Sequence, residues 1–173
     1  MSSRFEGRVY RIFADGTNEV MASDLGVACG LAFGADGTLY VGDRAGTIFK
    51  IEPGGRTEIF ATIPSSIAAF HLAMSPVGQL FVAAPTLASY DSVRRIDPDG
   101  RVEVLSMPFG RPQGLAFDVE GNLYVAASLN GHRGIVRITP DGRKAEIVVA
   151  GSSLVGLAFA AASLMWRFWR LVR

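Results

Sequence analysis

The sequence holds two histidines, His71 and His132, and one cysteine, Cys29. His71 lies in the apolar string AAFHLAMS and has two readings: a hydrogen-bonded core histidine, or a group that takes and returns a proton at a cleft. Asp43, just after LYVG, is likewise either a second catalytic candidate or an Asx-type cap of the turn it opens. Two polar stretches, AAPTLASYDS and AASLNGHRG, supply Tyr90 and Asp91, and then Asn130, His132 and Arg133, donors and acceptors suited to a polar small-molecule substrate. Each has a plainer alternative, since Asp91 can satisfy its own loop backbone and His132 and Arg133 can simply be solvated. Cys29 has no neighbour in sequence that would lower a thiol pKa, and reads as a small buried residue.

None of these residues belongs to a local catalytic motif. The sequence has no HExxH, no nucleophile elbow, no paired catalytic carboxylates, and no glycine-rich phosphate cradle. Its chemistry therefore has to be assembled from distant segments, and the repeats show how.

The strings ACGLAFGADGTLYVGDR, FHLAMSPVGQLFVAAP and RPQGLAFDVEGNLYVAAS are variants of one another, and LVGLAFA opens a fourth copy. Leu31, Leu72, Leu115 and Leu157 align at spacings of 41, 43 and 42, followed by turn glycines Gly37, Gly78 and Gly121 and the aromatics Tyr40, Phe81 and Tyr124. Later in each copy come IFKIEPGG, VRRIDPDG and IVRITPDG, anchored on Ile51, Ile96 and Ile138, with Ile12 in the same place near the start. A period of ~40–45 residues with four short strands per unit is the signature of a β-propeller blade. The expected fold is all-β, a partial propeller of four-stranded antiparallel blades. Residues 7–22 are half a blade; residues 28–61, 70–106 and 112–150 are complete blades; residues 154–160 are one further strand. The propeller thus occupies 1–160, and an aberrant basic and aromatic tail occupies 161–173.

Antiparallel neighbours sort the candidates by face. The chain just before the first strand of each blade, and the loop between its second and third strands, share one face of the disc. That face collects Cys29, Phe70, His71, Gln113 and Val155 together with both polar stretches, while the opposite face carries short hairpin turns. Long loops on a rigid scaffold commonly carry binding residues.

The string RPQGLAFDVEGNLYVAASLNGHRGIVRITPDG resembles a blade of the gluconolactonase / senescence-marker-protein lactonase family and, more loosely, of NHL-repeat and strictosidine-synthase-like propellers. The resemblance spans residues 7–159. It implies six blades around a divalent metal, usually calcium, held by Asn, Asp and Glu side chains on the channel face. Such a metal polarises a lactone carbonyl and helps to generate the attacking hydroxide. Gln113 in RPQG matches a ligand position beside the glycine that opens a blade, and is the metal-ligand candidate. Its amide oxygen can ligate calcium but brings neither charge nor basicity, and the matching positions hold Cys29, Phe70 and Val155, poor ligands for a hard cation. The function implied is metal-assisted hydrolysis of a sugar lactone or related ester, with His71 and Asp43 catalytic and Asn130, His132, Arg133, Asp91 and Tyr90 touching substrate. The alternatives are a non-catalytic NHL-type binding propeller and an inactive truncated gene product.

Bulk properties narrow the partners. With 17 basic and 16 acidic residues, the net charge of +1 gives no field to gather nucleic acid. One cysteine excludes an internal disulfide framework and a zinc–thiolate cluster. The start MSSRFEGRVYRIF has no apolar leader, and the longest apolar run, residues 155–166, is shorter than the ~20 residues of a spanning helix. A cytoplasmic protein without a membrane segment is expected. The repeat breaks into SLMWRFWRLVR, whose aromatic residues do not keep to one helical stripe, so a frameshift or truncation is expected ahead of a membrane-surface helix. An open propeller leaves apolar blade faces uncovered, and self-association through them is expected.

Overall fold

The computed structural model describes residues 1–159, and the expected tail 161–173 lies outside them. All its regular elements are strands, and no helix among the described residues is long and apolar enough to cross a membrane. Four antiparallel sheets follow one another in chain order. The first holds β1 (Ser2–Ser3), β2 (Arg8–Ile12) and β3 (Asn18–Ala22). The second holds β4 (Ala28–Phe33), β5 (Leu39–Asp43), β6 (Thr47–Ile51) and β7 (Thr57–Thr62). The third runs β8 (His71–Met74), β9 (Leu80–Ala83), β10 (Asp91–Ile96) and β11 (Val102–Phe109). The fourth runs β12 (Leu115–Phe117), β13 (Leu123–Leu129), β14 (His132–Ile138) and β15 (Ala145–Ala150). Each sheet pairs neighbours in sequence order, as propeller blades do, and β8 packs against both β4 and β12, so the first strands line the inside of the arc.

Two details depart from the repeat reading. The N-terminal half-blade gains a third strand, because Ser2 and Ser3 pair with Val9 and Arg8. At the other end, residues 154–159 carry a first-strand sequence without a ladder, since a first strand bonds only to the second strand of its own blade.

The turns explain the glycine pattern. At Gly37, Gly78 and Gly121 the φ values are 84°, 81° and 84°, and each N–H donates to the carbonyl three residues back. Glycine takes this left-handed position without the penalty a Cβ imposes. The third and fourth strands of every blade slip register at one equivalent place, between Val9 and Tyr10, Ile48 and Phe49, Ser92 and Arg94, and Ile135 and Val136. A bulge repeated at one position adds twist to each blade's outer edge.

Between blades lie three apolar layers. Val9, Leu25, Leu39, Val41 and Ile51 join the first sheet to the second; Ile48, Phe70, Leu72, Val82 and Ile96 join the second to the third; Val93, Phe109, Val125, Val136 and Ile138 join the third to the fourth. Sheets covered on both faces explain why the strands read as apolar runs instead of clean alternation. Outside the layers, a basic residue of each third strand meets a glutamate of the fourth: Arg11 with Glu19, Lys50 with Glu58, Arg95 with Glu103 and Arg137 with Glu146.

Candidate functional site

At the inner edge of the arc, one position decides how closely consecutive blades approach. A Cβ added to Gly30 would lie 2.3 Å from the Phe70 carbonyl oxygen, and one added to Gly114 would lie 2.6 Å from that of Val155. Gly114 also donates its N–H to Val155 O at 2.8 Å, joining backbone to backbone. In the aligned repeats the same position of the middle blade is His71. The junction that follows must admit an imidazole where its neighbours admit no side chain at all. His71 opens β8 opposite Ala83, is half-buried, and is shifted by burial below the ordinary imidazole pKa. Burial away from water disfavours the charged form, so the ring is held neutral at pH 7 and can accept a proton.

The two acids have structural work. Asp43 is 7% exposed, and its Oδ1 accepts the Val27 N–H at 2.8 Å and the Ala45 N–H at 3.2 Å. It therefore ties the approach to β4 to the turn between β5 and β6, as an Asx-type cap does. Asp91, 8% exposed, accepts the Thr86 N–H at 3.1 Å and the Thr86 hydroxyl at 2.7 Å. It closes the loop that holds Tyr90, whose ring is exposed.

The polar stretch after β13 differs from a long loop. Asn130, with φ 51°, and Gly131, with φ 84°, form a two-residue hairpin turn, and His132 and Arg133 lie on β14 opposite Leu129 and Ser128. Asn-Gly accepts the two left-handed positions a tight hairpin requires, so the strands extend to the tip. A further bridge joins Ser128 to Gly110, fastening this hairpin to the chain entering the blade. The Arg133 guanidinium donates to Ser152 O at 3.3 Å, while Asn130 and His132 are exposed. The structure thus sets these three on a projecting hairpin, while His71 opens β8 and Gln113 lies just ahead of β12, the first strand of the next blade.

Gln113 donates its backbone N–H to Ala126 O at 2.9 Å and is half-buried. Cys29 is buried, and its Sγ accepts the Phe70 N–H at 3.4 Å, which fits the small-residue reading. Among the described residues, no three His, Cys, Asp or Glu side chains gather as a metal cage. Calcium takes 6–8 oxygens. Gln113 offers one amide oxygen here, and Asp43 and Asp91 already accept backbone N–H groups. The described residues alone do not fit such a cation.

Sequence reasoning missed a recess of about 820 Å³ at the hairpin end of the channel, lined by Phe33, Met74, Phe117 and Phe159. These four residues occupy one position of the aligned repeats, the last of LAF or LAM, so the signal was present. Ser75 and Asp118 on its rim are engaged inside their own turns, by the Gln79 N–H and by Glu120 and Asn122. The lining that remains free is apolar.

No protein-family model matches this chain, and no curated protein is significantly similar to it. Solved structures do share the fold. A gluconolactonase from Xanthomonas campestris superposes with a TM-score of 0.72 at 18% identity, covering 92% of this chain and 61% of its own. A catalytically inactive histidine-to-alanine form of virginiamycin B lyase from Staphylococcus aureus, with quinupristin, gives 0.69 at 16%, covering 91% and 55%. A chain of the nidogen/laminin complex gives 0.70 at 23%, covering 90% and 64%. At these identities the likeness shows the propeller fold alone. The chain spans a little over half the length of the solved propellers it matches.

Proposed function

We propose that this chain forms part of a propeller that hydrolyses a sugar lactone or related ester, with His71 handling the proton. The observation that carries this reading is the His71 imidazole, held neutral by burial at the one inner-strand position where adjacent blades have glycine. A neutral imidazole within reach of a water can take its proton as the oxygen attacks a carbonyl, and return it to the departing alkoxide. The Gln113 side-chain amide, just ahead of the first strand of the next blade, would supply an N–H to polarise that carbonyl. Asn130, His132, Arg133 and Tyr90 would contact the sugar hydroxyls. The gluconolactonase neighbour and the dependence of the lyase neighbour on a histidine are consistent with this chemistry. A divalent cation belongs to the proposal only with oxygens from beyond the described residues, so no step is routed through it.

The test is hydrolysis of gluconolactone, followed as acid release against the buffer rate, for the wild type and for His71→Gln, with calcium and with chelator. A rate above background that falls at least tenfold in the variant supports the reading. An equal rate in both removes His71 from it. A second reading, a non-catalytic binding propeller, is favoured by one observation: the carboxylates of Asp43 and Asp91 accept backbone N–H groups and act as caps. Saturable gluconolactone binding without turnover would select that alternative.

A further inference from the structure

The two ends of the arc present complementary, uncovered blade faces. At each internal junction the anchor isoleucine of a third strand packs backwards onto the preceding blade, and Ile51, Ile96 and Ile138 are 1%, 0% and 2% exposed. Ile12 occupies the same position on the first sheet and is 56% exposed, with no sheet of the described residues packed against that face. The forward face shows the converse. Ile48 and Val93 are fully buried against the following blade, whereas their counterpart Ile135 is only partly buried. Val149 is 52% exposed where its counterpart Ala61 is 8% exposed.

The sheets are incomplete in a matching way. The first sheet lacks an innermost strand and ends at the free edge of β1. Residues 154–159 are an innermost strand without a sheet, already placed beside the fourth sheet by the Gly114 to Val155 hydrogen bond. Among the described residues the first and fourth sheets do not pack together, so the two halves of this blade stand at opposite ends of one chain.

We propose that a second copy of this chain supplies the missing half. Residues 154–159 of each copy add as the innermost strand to the β1–β2–β3 sheet of the other. The Tyr10 and Ile12 face then closes on Ile135 and Val149, giving a two-fold ring. Strand addition satisfies the open backbone edge, and because each copy carries one such edge and one such strand, a closed ring of two leaves neither unfilled and ends growth there. The register follows from the complete blades. Ala28 pairs with Asp43 and Leu31 with Val41, and Met1 exchanges backbone bonds with Tyr10 as Val41 pairs with Phe49. By correspondence, Leu157 of one copy lies opposite Met1 of the other, and Leu154 opposite Ser3. The ring would also close the wall of the channel that holds His71, yet it stands on packing alone and not on the proposed hydrolysis.

The experiment is light scattering on the eluting 173-residue protein at micromolar concentration, with two variants. Ile12→Glu changes a side chain already exposed in the single copy, so it is expected to convert the dimer to a folded monomer with an unchanged strand spectrum. Ser3→Cys with Leu154→Cys is expected to give a covalent dimer on oxidation, reversed by thiol. A monodisperse wild-type monomer would overturn the proposal, as would open-ended oligomers. So would a dimer that Ile12→Glu leaves intact and the cysteine pair fails to cross-link.

Discussion

Replacing Asp43 tests whether its carboxylate is a cap or a catalyst. Asp43→Ala removes the acceptor of two backbone N–H groups, from Val27 and Ala45, at a side chain that is 7% exposed. Both donors sit on exposed residues that water can reach, so each lost bond costs about 0.5–1.5 kcal/mol and about 1–3 kcal/mol is expected for the pair, the Ala45 bond at 3.2 Å being the weaker. For a chain of this size, about 1 kcal/mol moves the melting temperature by ~2–4 °C, which puts the alanine variant roughly 2–12 °C below the wild type. Asp43→Asn keeps an acceptor oxygen in the same place and is expected to lose under about 1 kcal/mol, because an isosteric amide can still receive both N–H groups. Thermal melts followed by circular dichroism, in parallel with gluconolactone hydrolysis, separate the two roles. A cap predicts a large loss of stability in alanine, a small one in asparagine, and hydrolysis retained in asparagine. An alanine variant melting within ~1 °C of the wild type would refute the cap. An asparagine variant that keeps its stability but has no activity would make the carboxylate catalytic.

Two further predictions concern the inner edge of the arc. His71, followed by NMR through its ring proton, is expected to titrate below the ordinary 6.5 because burial disfavours the imidazolium. The unfolded chain binds this proton more readily than the folded one. Stability linked to His71 is therefore full above the unfolded value and falls as pH drops through the folded one, a dependence that His71→Gln should remove. A midpoint at or above 6.5 would contradict the burial argument. Gly30→Ala forces a Cβ to within 2.3 Å of the Phe70 carbonyl at a backbone φ of +84°. A loss of at least ~2 kcal/mol in urea unfolding is expected from the combined clash and strain, and an unchanged midpoint would show that the blades can separate there freely.

Much of the architecture was legible because repetition turns weak local signals into strong ones. One GLAF or LYVA string is ambiguous, but four copies at spacings near 42 mark a repeated four-stranded unit, and the chain folds as successive antiparallel sheets, three of them four-stranded. The turn glycines Gly37, Gly78 and Gly121 were legible for a local reason, the left-handed position each turn needs. Asn130-Gly131 carries the same kind of local signal inside a polar string that varies between copies and reads as a loop. Local geometry overrode that reading and made it a hairpin.

The sequence by itself determined the kind of unit and its number, since these follow from the period and the turn chemistry. Tertiary structure decided which side chains remain available. Asp43 and Asp91 look alike as functional candidates until the distant backbone N–H of Val27 and the nearby Thr86 are found on them. His71 is one apolar-flanked histidine among alternatives until the alignment in space shows Gly30 and Gly114 pressed against the next blade's carbonyls. Ile12 and Ile51 are the same residue of the same motif, yet one is 56% exposed and the other 1%. Burial depends on what stands across the interface, and that is a property of the assembled arc, carried by contacts between residues far apart in the chain.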